Sequence, residues 1–380
     1  MEKNKKIIVI AAAILLVVVA IVSVVAVKEH NRKNATKSTA TATPKSTATP
    51  SATPTYETAA GPTTTPEPTV PPGKAASPLT GKYIDEKQAA KRPFAVMYNN
   101  LSAASPQSGI SQADILYECL TEGGITRLMG IFQSVKSDRI GSLRSARHYY
   151  VSFAKEWDAI YVHAGGSDKA YSYIEDLGVD DLDGITGIES TLAFRDDSIS
   201  APHNLFATSD GINKCVKKLG IRTDLQAKEN NHFTFFDEDT VDESGKDASY
   251  VQIDYSYYTA PYLIYDEKTK LYTRYQFGGK HVDKNTGKAL TFKNIIIMLV
   301  DEWDMDSQGR QDMDIADSRG KAIYISNGKA TNIKWAKNEN KNTMRFLDSD
   351  GKLLKVNKGK TYIAVVPLKR EDKLVIKANS

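Results

Sequence analysis

An apolar run at the start of this 380-residue chain, and the segment after it, bound what can fold. Ile7–Val27 is broken only by Ser23. At about 1.5 Å per residue, such a helix crosses a hydrocarbon core of roughly 30 Å. Met1–Lys6 carries three lysines, as a signal n-region does. The run is long for a cleaved signal and leads into Lys28-Glu29-His30 without a small-x-small site. Residues 1–27 are therefore expected to be a transmembrane signal anchor, with the bulk of the chain extracytoplasmic. Residues 28–77 are rich in Thr, Ala, Ser and Pro, and nine of the fourteen prolines lie from Pro44 to Pro78. This composition buries too little apolar surface to fold and favours extended conformations, so a disordered linker is expected. At about 3.1 Å per residue it reaches on the order of 100 Å, far enough to enter a cell wall.

Charge then removes one class of partner. The chain is +4 overall, but residues 1–77 hold nine Lys/Arg and four Asp/Glu, leaving 41 basic and 42 acidic residues after them. The folded part is near neutral, so nucleic-acid binding has no electrostatic support. Cys119 and Cys215 both sit among apolar neighbours, which suits buried free thiols.

Two patterns divide the remainder. Over 78–225 strand and helix signals alternate: strands near 93–97, 127–134 and 158–164, and helices over 146–157, 168–177 and 209–219. Over 226–380 the signals are almost all strand, with Gly-containing turns at Gly278-Gly279, Gly287, Gly328 and Gly351. The expectation is an α/β (α+β) N-terminal domain, 78–225, followed by a mainly-β, sandwich or barrel-like C-terminal domain, 226–380.

Candidate chemistry concentrates between Ser105 and Tyr150. Asp114, Glu118 and Glu122 recur every four residues, which on a helix gives one acidic face opposite Ile115, Leu116, Cys119 and Leu120. Ser111 suits an N-cap, and Gly123-Gly124 suits a helix end. Glu122 would then face the negative end of the helix dipole, and Arg127, Arg144 and Arg147 are at hand to offset it. His163 ends a strand just before Gly165-Gly166-Ser167, where α/β sheets place their ligand crevice. His203 and Asn204 lie in a loop before the next helix and are placed to line the same crevice. Glu118, Glu122 and His163 are candidate catalytic groups; Asp114, Arg127, Arg144, Arg147, His203 and Asn204 are candidate binding groups. Asp304, Asp306, Gln308 and Gly309 imitate the start of a calcium loop, but Ile315 stands where its last carboxylate belongs. No metal site and no cofactor are expected.

These motifs resemble the DUF3048 (YerB-like) family of bacterial cell-envelope proteins. The likeness is carried by Pro78-Leu-Thr-Gly81, Arg92-Pro-Phe-Ala-Val-Met97, Ser111-Gln-Ala-Asp114, Glu122-Gly-Gly-Ile-Thr-Arg127, Arg144-Ser-Ala-Arg147, Tyr161-Val-His-Ala-Gly-Gly166 and Ala201-Pro-His-Asn204. Tyr265-Asp266, His281-Val-Asp283, Thr286-Gly287, Gly309-Arg310 and Trp335 extend it. The resemblance implies an envelope location. Many relatives carry a lipidated cysteine, where this chain has an apolar run. It does not imply an activity, and three functions stay open: binding of a cell-wall polymer such as peptidoglycan or teichoic acid by the arginines, cleavage of wall glycan with Glu118 or Glu122 as general acid/base, and a scaffold role toward another envelope protein. The anchor reading is tested by adding protease to wall-stripped intact cells. A fragment of roughly the folded region should be released, and a protected full-length chain would refute it.

Overall fold

Three apolar runs without alternation form the centre of the structure, because strands covered on both faces need no polar side. The computed structural model describes residues 70–226, 232–338 and 343–378. The expected anchor, and the linker up to residue 69, lie outside the described residues. The end of that linker is already ordered: Lys74–Ala76 pairs antiparallel with Tyr83–Asp85.

One mixed sheet holds eleven strands: β1 (Phe94–Asn99), β2 (Ile115–Leu120), β3 (Thr126–Phe132), β4 (Ile160–His163), β5 (Asp181–Asp183), β6 (Lys246–Asp247), β7 (Asn294–Val300), β8 (Arg319–Ser326), β9 (Lys329–Asn338), β10 (Thr343–Leu347) and β11 (Thr361–Pro367). Their order is β6-β9-β8-β7-β11-β2-β3-β1-β4-β5, with β10 also on β9. β7, β11 and β2 are buried at every position and run parallel, with Ile297 opposite Ala364 and Ala364 opposite Glu118. β3 runs antiparallel to both β2 and β1, and β4 and β5 run parallel to β1. The carboxyl ends of β7, β11, β2, β1 and β4 therefore share one edge.

Each face of the sheet carries a core. One packs Ile115, Tyr117, Cys119 and Met129 against helix α1 (His148–Glu156), Trp157 and helix α2 (Asp168–Leu177). The other packs Leu116, Leu128, Ile295 and Ala364 against helix α3 (Ser209–Leu219) and a six-stranded sheet that includes Tyr250–Gln252, Tyr262–Asp266 and Leu271–Gln276. Cys119 and Cys215 lie in opposite cores as free, buried thiols.

The helices expected over 168–177 and 209–219 form with those bounds, and the third runs from His148 with Arg147 as its N-cap. The acidic helix does not form. Its residues are β2, flanked by 3-10 turns at Ile110–Gln112 and Glu122–Gly124. Six consecutive buried residues between two neighbouring strands satisfy a central strand, and a short apolar run cannot be told from a helix by periodicity. Gly123 and Gly124, at φ of 68° and 74°, make the turn into β3 instead of ending a helix. The C-terminal strands also do not close into a separate sandwich or barrel. β7 to β11 extend the sheet begun by residues 94–132, so the sheet continues across the change of character near residue 225.

A buried ion pair ties the two sheets together. Glu118 on β2 and Arg274 on Leu271–Gln276 are both fully buried, with Arg274 Nη2 2.6 Å from Glu118 Oε2. Tyr362 donates to the same oxygen at 2.5 Å, and Thr126 to the other at 2.7 Å. Arg274 also donates to His281 Nδ1 at 2.6 Å, leaving His281 Nε2–H to donate to Gln107 at 2.7 Å. Burial, then the nearby Arg274 charge, hold His281 well below its usual pKa, in keeping with a neutral ring. Burial alone would lower the Arg274 pKa, but Glu118 and Tyr362 outweigh it and raise it. Glu118→Gln keeps the shape and strands the guanidinium charge, so it should cost about 3–5 kcal/mol in urea unfolding. Pairing it with Arg274→Met should recover much of that loss.

Candidate functional site

The carboxyl edge of the parallel strands carries a half-open cluster of arginines around one carboxylate. Glu122 sits in the 3-10 turn just after β2. Arg127, second residue of β3, faces the α1 side, since its register partners are Cys119 and Asn99. Arg147 caps α1. Arg127 Nη2 lies 2.5 Å from Glu122 Oε1, Arg147 Nη2 lies 2.6 Å from the same oxygen, and Arg147 Nε lies 3.1 Å from Oε2. Backbone carbonyls hold both forks in place: Arg127 donates to Ser145 O at 2.6 Å and Arg147 to Ala146 O at 2.7 Å.

Burial alone would raise the Glu122 pKa, but Arg127 and Arg147 outweigh it and lower it. Burial, reinforced by Arg147, pulls Arg127 down to about 10, so it stays charged at neutral pH. Arg144 is half-buried, and its side chain has no hydrogen bond or direct ion pair among the described residues. Its pKa is lowered by burial. Three guanidinium groups thus share one carboxylate, leaving an excess of positive charge where Glu122 and Arg144 meet solvent.

Of the other expected residues, only His203 borders this cluster. Its Nδ1 accepts from Asn99 at 2.7 Å, and burial, then Arg144, lower its pKa. Asn204 is buried, and Arg195 donates to its side chain at 3.2 Å. His163 is fully buried, bonded to Gly165 O at 2.9 Å and Asp181 at 3.0 Å. Gly165 O receives the Ala146 amide at 2.8 Å, so His163 supports the loop beneath Arg147 without reaching the surface itself. Asp114 lies at the opposite end of β2, accepting from the Gln133 amide at 2.8 Å. Glu118 faces the other core, on the side of Leu116 and Leu120, whereas Glu122 lies past the end of β2 in the 3-10 turn, where strand alternation no longer fixes its side.

Sequence reasoning missed a second carboxyl on this edge. Glu302 follows β7 by two residues, one strand across from Glu122 over β11. It is 8% exposed, and neither carboxyl oxygen has a hydrogen-bond partner. Burial, little offset by Lys369 and reinforced by Asp304, raises its pKa to about 8. Glu302–Asp304 pairs antiparallel with Gln311–Met313, and this hairpin brings Asp312 within 2.7 Å of His148 Nε2 and 2.5 Å of Lys169 Nζ, fastening it over the start of α1. The available signal was position: Glu302 follows an apolar strand, where α/β sheets gather functional groups. In the loop that resembled a calcium site, Arg310 Nε lies 2.5 Å from Asp306.

Comparison with known proteins agrees with this architecture. Residues 79–222 match the family described as "Protein of unknown function (DUF3048) N-terminal domain", and residues 251–363 match its C-terminal domain. The chain belongs to the DUF3048 family. It is 36% identical over 298 residues to a Bacillus subtilis (strain 168) protein named "Putative lipoprotein YerB", covering 77% of this chain and 87% of that one. The crystal structure of YerB from Bacillus subtilis superposes with a TM-score of 0.71 at 32% identity, over 80% of this chain and all of the other. The family descriptions assign no activity, so chemistry has to be argued from the site.

Glu302 gives that site a pH signature. Its pKa is raised on folding, so its contribution is fully present below the ordinary carboxylate range, near pH 4.5. It is lost as pH rises through about 8. The Glu302→Gln variant should melt at least as high as the parent at pH 8, with the difference vanishing near pH 4. A parallel pair of melting curves from pH 4 to 8 would refute this.

Proposed function

We propose that this is a membrane-associated extracytoplasmic envelope protein that binds an anionic cell-wall polymer, peptidoglycan or teichoic acid, through Arg127, Arg144 and Arg147. The envelope location rests on family membership and on the name of the Bacillus subtilis relative. The observation that carries the binding reading is the charge imbalance of the cluster: Glu122 pairs directly with two of the guanidinium groups, while Arg144 beside them makes no direct ion pair among the described residues and feels the same single carboxylate from farther away. Planar guanidinium forks held by backbone carbonyls suit two-point recognition of carboxylate or phosphate, and pre-set geometry lowers the entropy lost on binding.

The glycan-cleaving alternative draws less support from its two candidate acids. Glu122 is held ionised by two arginines and is a poor proton donor at neutral pH. Glu118 is sealed between two sheets, away from any substrate.

Co-sedimentation with purified cell-wall sacculi tests the binding reading. Arg147→Lys keeps the charge and loses the fork, so it should weaken retention about ten-fold while the melting temperature stays within a few degrees. Unchanged retention would refute the role of Arg147. Earlier melting with full retention would make the cluster structural.

A further inference from the structure

Two largely exposed tyrosines stand next to the turn that carries Glu122. Tyr257 is 94% exposed and Tyr258 73%, the highest values for large apolar side chains among the described residues. Apolar surface left in water contributes nothing to folding, and a paired aromatic display differs from the scattered exposure common on protein surfaces. Their rings stand perpendicular, with centroids 5.5 Å apart.

The turn that displays them is tightly built. Ser256 Oγ accepts from the Tyr258 amide at 3.0 Å and the Thr259 amide at 3.1 Å, and Tyr255 N donates to Thr259 O at 3.0 Å. Ser256 Oγ also donates to Gly124 O, as does Thr259 Oγ1 at 3.2 Å. At the root, Tyr255 is buried and donates to Glu118 O at 3.1 Å. Gly124 lies in the same 3-10 turn as Glu122, so one pair of interlocked turns fixes both the tyrosines and the carboxylate that organises Arg127 and Arg147. A Cβ on Gly124 would come within 3.1 Å of the Tyr258 ring, so the two turns are in direct contact.

We infer that Tyr257 and Tyr258 form a stacking platform for the sugar rings of a carboxylate-bearing glycan whose anionic group is held by the adjacent arginines. One face of a pyranose ring presents C–H groups, which carry partial positive charge and pack against the electron-rich face of an aromatic ring. Tyrosine also supplies a hydroxyl for sugar oxygens and loses little entropy on binding. Aromatic faces for sugar carbon and guanidinium forks for carboxylate, set on interlocked turns, match a glycan that carries its charge on the sugar itself. A polyol phosphate offers no ring to stack. This inference rests on the anion-binding reading above and selects glycan within it.

The test uses the full-length protein in detergent and two probes in calorimetric titration: a soluble peptide-free peptidoglycan disaccharide fragment, whose muramic-acid lactyl carboxylate is free, and inorganic tripolyphosphate. Replacing both tyrosines by alanine should weaken the fragment about ten-fold or more relative to tripolyphosphate, and Tyr257→Phe with Tyr258→Phe should restore most of it. Equal affinity of the parent and the double-alanine protein for the fragment would overturn the platform. Binding of tripolyphosphate alone by the parent would also overturn it while leaving anion binding intact. Binding of neither probe would remove both readings. Tyrosine-dependent binding to phosphatidylglycerol vesicles without fragment binding would assign the pair to a membrane surface and overturn the glycan platform.

Discussion

The buried pair of Glu118 and Arg274 fixes how the two halves of the chain meet. Neither charge reaches water, so each depends on the other. Tyr362, Thr126, Asn100, Gln276 and His281 bond the carboxylate oxygens and the Arg274 Nη atoms, and of the pair's own polar atoms only Arg274 Nε has no partner among the described residues. Such a network contributes little net stability, because desolvation offsets attraction. It does impose a register. A one-residue slip of β2 would carry Glu118 to the opposite core and leave Arg274 charged and alone. The same strand ends in the turn that holds Glu122, so the position of the surface crevice is set from inside the fold.

At that surface the organising constraint is the common direction of five strands. β7, β11, β2, β1 and β4 release their chains on one edge, and Glu302, Leu368, Glu122, Asn100 and Ala164 all follow their carboxyl ends. Side chains distant in sequence are gathered there without a dedicated subdomain. Their pKa values move in opposite directions because their surroundings differ: Glu122 meets two arginines, while Glu302 is buried with no hydrogen-bond partner on either carboxyl oxygen.

Much of this was legible from residues alone. The α2 and α3 helices, the strand-rich character of the chain after residue 225, and the grouping of Glu122 with Arg127 and Arg147 follow from pattern and motif. Ile115–Leu120 was misread because Asp114, Glu118 and Glu122 recur every four residues and suggested one helix face, whereas only Glu118 lies in the strand and Glu122 belongs to the turn beyond its end. That error also placed Glu118 beside Glu122. The continuity of the sheet was hidden for a different reason: β11 pairs with β2 across some 240 residues of sequence, and local periodicity contains no information about partners. Glu302 escaped notice because its importance comes from burial without a hydrogen bond, which only three dimensions reveal.

The place of β11 between β2 and β7 has a temporal side. A chain made from its N-terminus completes β2 and β7 well before β11 exists, so the middle of the sheet is the last part able to close. Until then both neighbours expose unpaired, strongly apolar edges, the kind of surface that pairs with other chains. A nascent chain halted anywhere before residue 361 is therefore an aggregation hazard, however complete its first half appears. The tail of the protein acts as the latch on a core whose other parts have long been waiting.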